Sequence, residues 1–105
     1  MVTIEAIQPD CRRVTFILDV DNAGPTSVVG SFKDWDPHAH QFAVDDTTGR
    51  LVARMEVAAG TVLRFRYLSE RLGWLDDDSA QQRWPNEHGT FDNIVFVPRD
   101  AEETS

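Results

Sequence analysis

Apolar and polar residues alternate along several stretches of the chain. Val14, Phe16, Leu18 and Val20 occupy every second position of the first stretch. A side-chain period of two is typical of a β-strand with one face on a hydrophobic core. Two later stretches show the same alternation with charged residues between the apolar ones: Leu51, Ala53, Met55 and Val57 with Arg54 and Glu56, and Leu63, Phe65 and Tyr67 with Arg64 and Arg66.

The remaining pattern also favours strands. The run Asn93-Ile94-Val95-Phe96-Val97 has apolar residues on both faces, which predicts a central strand or one whose outer face is covered. Turn-forming residues separate the strands at short intervals, and the single helix candidate, residues 78–83, ends before Pro85. Short strands with frequent turns predict an all-β protein, an immunoglobulin-like β-sandwich with Greek-key connections.

Composition limits the size and the partners of this sandwich. With 105 residues, 41% of them hydrophobic, the chain predicts one domain over residues 1–98 and a polar tail over 99–105. The net charge is −8, which disfavours nucleic acid and anionic membranes as partners. A lone cysteine, no leader pattern and no apolar run of about 18 residues favour a cytoplasmic protein.

Metal and catalytic sites have weak signals. His38 and His40 could share a strand face near Asp34 and Asp36, but the spacing does not supply the ligand set and supporting contacts of a zinc site. The same aspartates could act as a glycosidase pair only if a cleft held them at a fixed separation. Turn aspartates need no such role, so we expect no metal, no cofactor and no catalysis.

The three tryptophans occupy unusual places. A tryptophan is usually largely buried. Trp35 and Trp84 lie in turn-rich segments, however, and Trp74 is soon followed by three consecutive aspartates. Such neighbours indicate rings near the surface, although a core position remains open for each of them.

One segment around Trp35 resembles a known family. The run Val28-Val29-Gly30-Ser31-Phe32-Lys33-Asp34-Trp35 is similar to the signature of the glycogen- and starch-binding modules (carbohydrate-binding module family 48). These modules occur in branching and debranching enzymes and in the β subunit of the AMP-activated protein kinase. Further similarities follow in family order: Gly60 before the strand 63–68, then Gly73-Trp74, then Pro85-Asn86 and the run from Gly89 to Val97.

The resemblance implies an early-set sandwich that binds α-1,4-glucans. By position, Trp35 and Trp74 resemble the two sugar-stacking platforms, Arg66 a lysine that binds sugar hydroxyls, and Thr90 a threonine of the final loop. Asp92 and His88 stand where other members carry asparagine and leucine. The full set of carbohydrate-binding candidates is Trp35, Arg66, Trp74, Thr90 and Asp92, with Trp84 and His88 as secondary ones.

The chemistry of these residue types agrees with the implied roles. An indole can bury the apolar C–H face of a glucose ring, while Arg66 donates to hydroxyls and Asp92 accepts from them. The expected function is that of a stand-alone, non-catalytic module that localises itself, or a partner such as a glycogen-metabolising enzyme, on α-glucan. The alternative is a structural or protein-interaction domain of the same fold that has lost the sugar site.

Overall fold

The computed structural model describes residues 1–20, 24–31, 40–77, 82–86 and 89–99. In these residues the regular elements are strands, and no α-helix is present. The strands are β1 (Val2–Gln8), β2 (Cys11–Leu18), β3 (Thr26–Gly30), β4 (His40–Gln41), β5 (Ala43–Val44), β6 (Leu51–Ala58), β7 (Val62–Ser69), β8 (Gly73–Leu75), β9 (Gln82–Pro85) and β10 (Phe91–Phe96).

The strands form two antiparallel sheets that pack as a sandwich. The first sheet has the order β1-β2-β6-β5, and the second has the order β4-β3-β7-β10-β9 with β8 paired to β7. The chain passes between the sheets from β2 to β3, from β4 to β5 and from β6 to β7, as Greek-key connections do. The predicted immunoglobulin-like β-sandwich is therefore confirmed.

The core between the sheets follows the predicted alternation. Phe16 on β2 and Phe65 on β7 are fully buried and meet edge to face, with ring centroids 5.0 Å apart. Tyr67 joins them from the next inward position of β7. On β6, Ala53 and Met55 are buried as the pattern predicts. These contacts join the sheets, since Phe16 belongs to one and Phe65 to the other.

Strand β10 occupies the central position that its apolar sequence predicts. It pairs with β7 on one side and with β9 on the other. Val95 faces the core opposite Leu63, while Ile94 faces away from it and is still fully buried. The outer face of the second sheet is therefore covered at this point.

Two elements differ from the sequence expectations. The helix candidate at 78–83 is wrong in its last two residues, because Gln82 and Arg83 belong to edge strand β9. Pro85 ends that strand, a position where its missing N–H disturbs no central pairing. The alternation in β1 was also missed: Val2 and Ile4 pack against the core beside β2.

A buried polar contact anchors the chain after β8. The Tyr67 hydroxyl donates to Asp77 Oδ2 at 2.5 Å, and the Asp77 amide donates to Asn93 Oδ1 at 3.3 Å. Burial raises the pKa of Tyr67 far above its usual value, and the neighbouring Asp77 carboxylate raises it further. The contact attaches the segment that follows β8 to β7 and β10.

The predicted tail begins with a residue that is attached to the sandwich. Arg12, which is 1% exposed at the start of β2, donates to the carbonyl oxygen of Arg99 at 2.7 Å. The rest of the tail, residues 100–105, lies outside the described residues. Across the described part of the chain, no helix is long and apolar enough to cross a membrane.

Candidate functional site

The outer faces of the two sheets carry different chemistry. On the first sheet, Arg13 lies 3.3 Å from Glu5 and 3.8 Å from Glu56, all with well-exposed side chains. Such an exposed row of charges is typical of a solvated surface and contributes little energy. The outer face of the second sheet instead holds two arginine–tryptophan pairs, which makes it the candidate site.

The first pair joins Arg66 and Trp74. The Arg66 guanidinium carbon lies 5.1 Å from the centroid of the Trp74 ring, within the range of a cation–π contact. Trp74 is 49% exposed, so half of its surface remains in contact with solvent. Arg66 Nε donates to Asp76 Oδ1 at 3.2 Å, which holds the guanidinium beside the ring.

The β7–β8 hairpin positions Trp74. Ser69 pairs with Gly73, so residues 70–72 form the loop, and the Leu72 amide donates to the Ser69 hydroxyl at 2.9 Å. Gly73 has φ +78°, a left-handed conformation that glycine adopts without the strain of a Cβ atom. Trp74 then pairs with Leu68, an outward position of β7 next to Arg66.

The second pair joins Arg64 and Trp84. Arg64 precedes Arg66 on the same face of β7, and its guanidinium carbon lies 5.7 Å from the centroid of Trp84. Asp92 binds this guanidinium through Oδ2, at 3.2 Å from Nε and 3.1 Å from Nη2. Asp92 is only 3% exposed, and its other oxygen accepts from Asn86 Nδ2 at 2.9 Å.

A hydrogen-bonded loop supports this second pair. The Asn86 amide group donates to the Thr90 hydroxyl at 2.9 Å, and the Thr90 backbone amide donates back to Asn86 Oδ1 at 3.1 Å. Asn86 therefore connects Thr90 to Asp92 and closes the turn between β9 and β10. Thr90 itself is exposed at the end of this network.

Trp84 extends towards Phe96 across the sheet. Trp84 pairs with Asp92, four residues before Phe96 on β10, yet the two rings lie 6.0 Å apart. Both rings therefore lean over Ile94, which accounts for its complete burial on the outer face. Phe96 remains 38% exposed and pairs with Val62 at the start of β7.

The arrangement suits a neutral ligand with apolar and hydroxyl surfaces. Each guanidinium has a carboxylate partner, so Arg66 with Asp76 and Arg64 with Asp92 leave little net charge on this face. Within the described residues only Nε of Arg66 is hydrogen-bonded, so its terminal amino groups can donate to a ligand. Flat rings beside such donors are the two elements that sugar binding requires.

Metal chemistry finds no support in the described ranges, where no group of three or more His, Cys, Asp or Glu side chains could hold an ion. Asp34, Asp36 and His38 lie outside those ranges. His40 pairs with Val28 in edge strand β4.

The candidates named from the sequence divide into three groups. Arg66 and Trp74 are in direct contact. Thr90, Asp92 and Trp84 are linked through Asn86 and Arg64, and Asp92 is buried and already engaged rather than open to solvent. The last group, Trp35 and His88, lies outside the described residues.

Sequence reasoning missed the residues that hold the second pair together. Arg64 carried a usable signal, because it alternates with Leu63 and Phe65 in the same way as Arg66 does. Asn86 and Phe96 carried none, since their contacts depend on the pairing of β9 with β10.

In comparisons with known proteins, no protein-family model matches the chain, and no curated protein shows significant similarity to it.

Proposed function

We propose that this protein is a non-catalytic module that binds α-1,4-glucans of the glycogen and starch type. It would hold itself, or a partner such as a glycogen-metabolising enzyme, on the polymer. The observation that carries the proposal is the half-exposed Trp74 ring with the Arg66 guanidinium beside it. A glucose residue would place its C–H face on the indole and its hydroxyls near the terminal amino groups of Arg66.

The charge of the site supports a neutral ligand. The protein carries a net charge of −8, which repels anionic polymers, while the arginines of this face are paired with carboxylates. Neutral polysaccharide avoids that repulsion. Because bound hydroxyls give up water to reach the site, we expect a dissociation constant of about 10 μM to 1 mM.

Asp92 has a positioning role in this proposal. Its carboxylate is buried and binds Arg64 and Asn86, so it supports the face from below. Thr90, which is exposed, is the member of the same network that can reach a sugar hydroxyl.

Electrophoresis in glycogen-containing gels and titration with maltoheptaose test the proposal. We expect the wild-type protein to be retarded and Trp74→Ala to lose at least about tenfold in affinity, since one stacking platform disappears. Leu72→Ala is the matched control, because Leu72 has the same 49% exposure on the same hairpin. Both variants should melt near the wild-type temperature, whereas Phe65→Ala should unfold the domain.

The alternative function is a protein-interaction domain, and the exposed Trp74 ring favours it equally, because exposed aromatic side chains are common binding anchors. Wild-type protein that folds and binds neither glycogen nor maltoheptaose would refute the glucan proposal and leave this alternative. Equal binding by wild type and Trp74→Ala would show that the sugar site lies elsewhere.

A further inference from the structure

The two arginine–tryptophan pairs are neighbours on one face. Arg64 and Arg66 occupy successive outward positions of β7, about 7 Å apart along the strand. Trp74 flanks Arg66 from β8, and Trp84 flanks Arg64 from β9. Both β8 and β10 pair with the same edge of β7, because β3 occupies the other edge. The two rings therefore lie on the same side of β7.

The second pair repeats the chemistry of the first. It has a ring, a guanidinium beside it and a carboxylate that neutralises the charge. It also continues into the exposed ring of Phe96 and the exposed side chain of Val62. Sequence reasoning assigned no function to Arg64, Phe96 or Val62.

We infer that Arg64, Trp84 and Phe96 form a second subsite, which binds sugar residues further along the same glucan chain. The inference rests on the proposed function. A short oligosaccharide fills the first subsite, formed by Arg66 and Trp74, whereas a longer one also covers the second. Binding both subsites with one chain adds contacts without a second loss of translational freedom. The second subsite therefore gives the protein a preference for long chains.

Two alternatives explain the second cluster less well. A metal or anion site would need unpaired ligands or unpaired positive charge, but Asp92 and Arg64 already neutralise each other. A purely structural cover for Ile94 would need no exposed aromatic surface, yet Phe96 keeps 38% of its area in solvent. The repeated pair on one face favours an extended ligand.

Titration of maltotriose and maltoheptaose into the same variants tests the inference. Wild type should bind maltoheptaose about tenfold more tightly than maltotriose. Trp84→Ala should bring the affinity for maltoheptaose close to that for maltotriose and leave maltotriose binding unchanged. Phe96→Ala should act in the same direction with a smaller effect, and it keeps the test decisive if a thermal melt shows that Trp84→Ala is unfolded.

Phe91→Ala is the control, because Phe91 is a second exposed phenylalanine on β10, 54% exposed against 38% for Phe96, that points to the opposite side of the strand. Its two affinities should equal those of wild type. An unchanged length preference in folded Trp84→Ala or Phe96→Ala overturns the inference while the proposed function stands. Failure of wild type to bind either sugar refutes the proposed function and the inference together.

Discussion

Asp92 shows how the surroundings of a single residue decide its role. From the sequence alone, the carboxylate of Asp92 is expected to accept hydrogen bonds from sugar hydroxyls. In the fold it is 3% exposed and binds Arg64 and Asn86, so its charge is used inside the protein. A buried carboxylate with a charged partner is costly to neutralise, because the partner is left without its counter-ion.

The substitution Asp92→Asn is therefore expected to destabilise the protein by about 1 to 2 kcal/mol, less than a fully buried pair because Arg64 is 35% exposed. Asp76→Asn is the control. Asp76 also pairs with an arginine of this face, Arg66, but through Nε alone, and its side chain is 42% exposed, so its loss should cost less than about 0.5 kcal/mol. Urea denaturation of the two variants measures the difference. Equal costs would contradict the burial argument.

At the scale of an element, the β7–β8 hairpin determines where Trp74 stands. Strand β7 has β3 on one edge, and its other edge is shared by β10 at residues 62–65 and by β8 at residues 67–69. The short β8 strand can therefore bring Trp74 beside Arg66 only if the loop reverses the chain at once. Gly73 makes this possible through its left-handed backbone conformation.

Substitution of Gly73 by alanine tests whether the proposed sugar binding depends on the geometry of the hairpin or only on the overall stability of the protein. Gly49 is a matched control, since its φ of +76° is nearly equal to the +78° of Gly73 and a Cβ atom at either position meets nothing within 4 Å. Each alanine variant should lose about 1 to 2 kcal/mol of stability from backbone strain. Only Gly73→Ala should weaken maltoheptaose binding. The same loss of binding in Gly49→Ala would indicate a global cause.

At the scale of the whole molecule, Tyr67 connects the core to the segment that follows β8. Its ring centroid lies 6.2 Å from that of Phe16 in the first sheet, and its hydroxyl donates to Asp77 in the segment after β8. Burial, followed by the bond to Asp77 and the charge of that carboxylate, raises the Tyr67 pKa, so the folded protein retains the phenol proton at high pH.

The raised pKa of Tyr67 makes the folded protein less stable at alkaline pH. The unfolded chain releases the Tyr67 proton at about pH 10, whereas the folded chain retains it. The protonated Tyr67 hydroxyl therefore contributes fully to the free energy of unfolding below about pH 10, and this contribution is lost as the pH rises further. Tyr67 is the single tyrosine of the sequence, so the ultraviolet absorbance of tyrosinate reports it directly. We expect this absorbance to appear together with loss of β-sheet circular dichroism. Ionisation near pH 10 with the sheets intact would contradict the prediction.

The sequence alone determined the sandwich and its core. Alternation at Val14, Phe16 and Leu18 and at Leu63, Phe65 and Tyr67 is a local property, because successive side chains of a strand point to opposite faces whatever the strand pairs with. The run at 93–97, which is apolar at every position after Asn93, likewise predicted a central strand or one whose outer face is covered, and Ile94 and Val95 are buried on opposite faces. Arg66 and Trp74 were named as candidate site residues because the sequence resembles a known motif.

Only the tertiary structure decided which of these residues act together. Arg64 meets Trp84 and Asp92 because β7, β10 and β9 are neighbours in one sheet, although the residues are 20 and 28 positions apart in the chain. The same pairing buried Asp92 and placed its carboxylate in contact with Arg64 and Asn86. Strand order and register depend on contacts between distant segments, and no local periodicity encodes them.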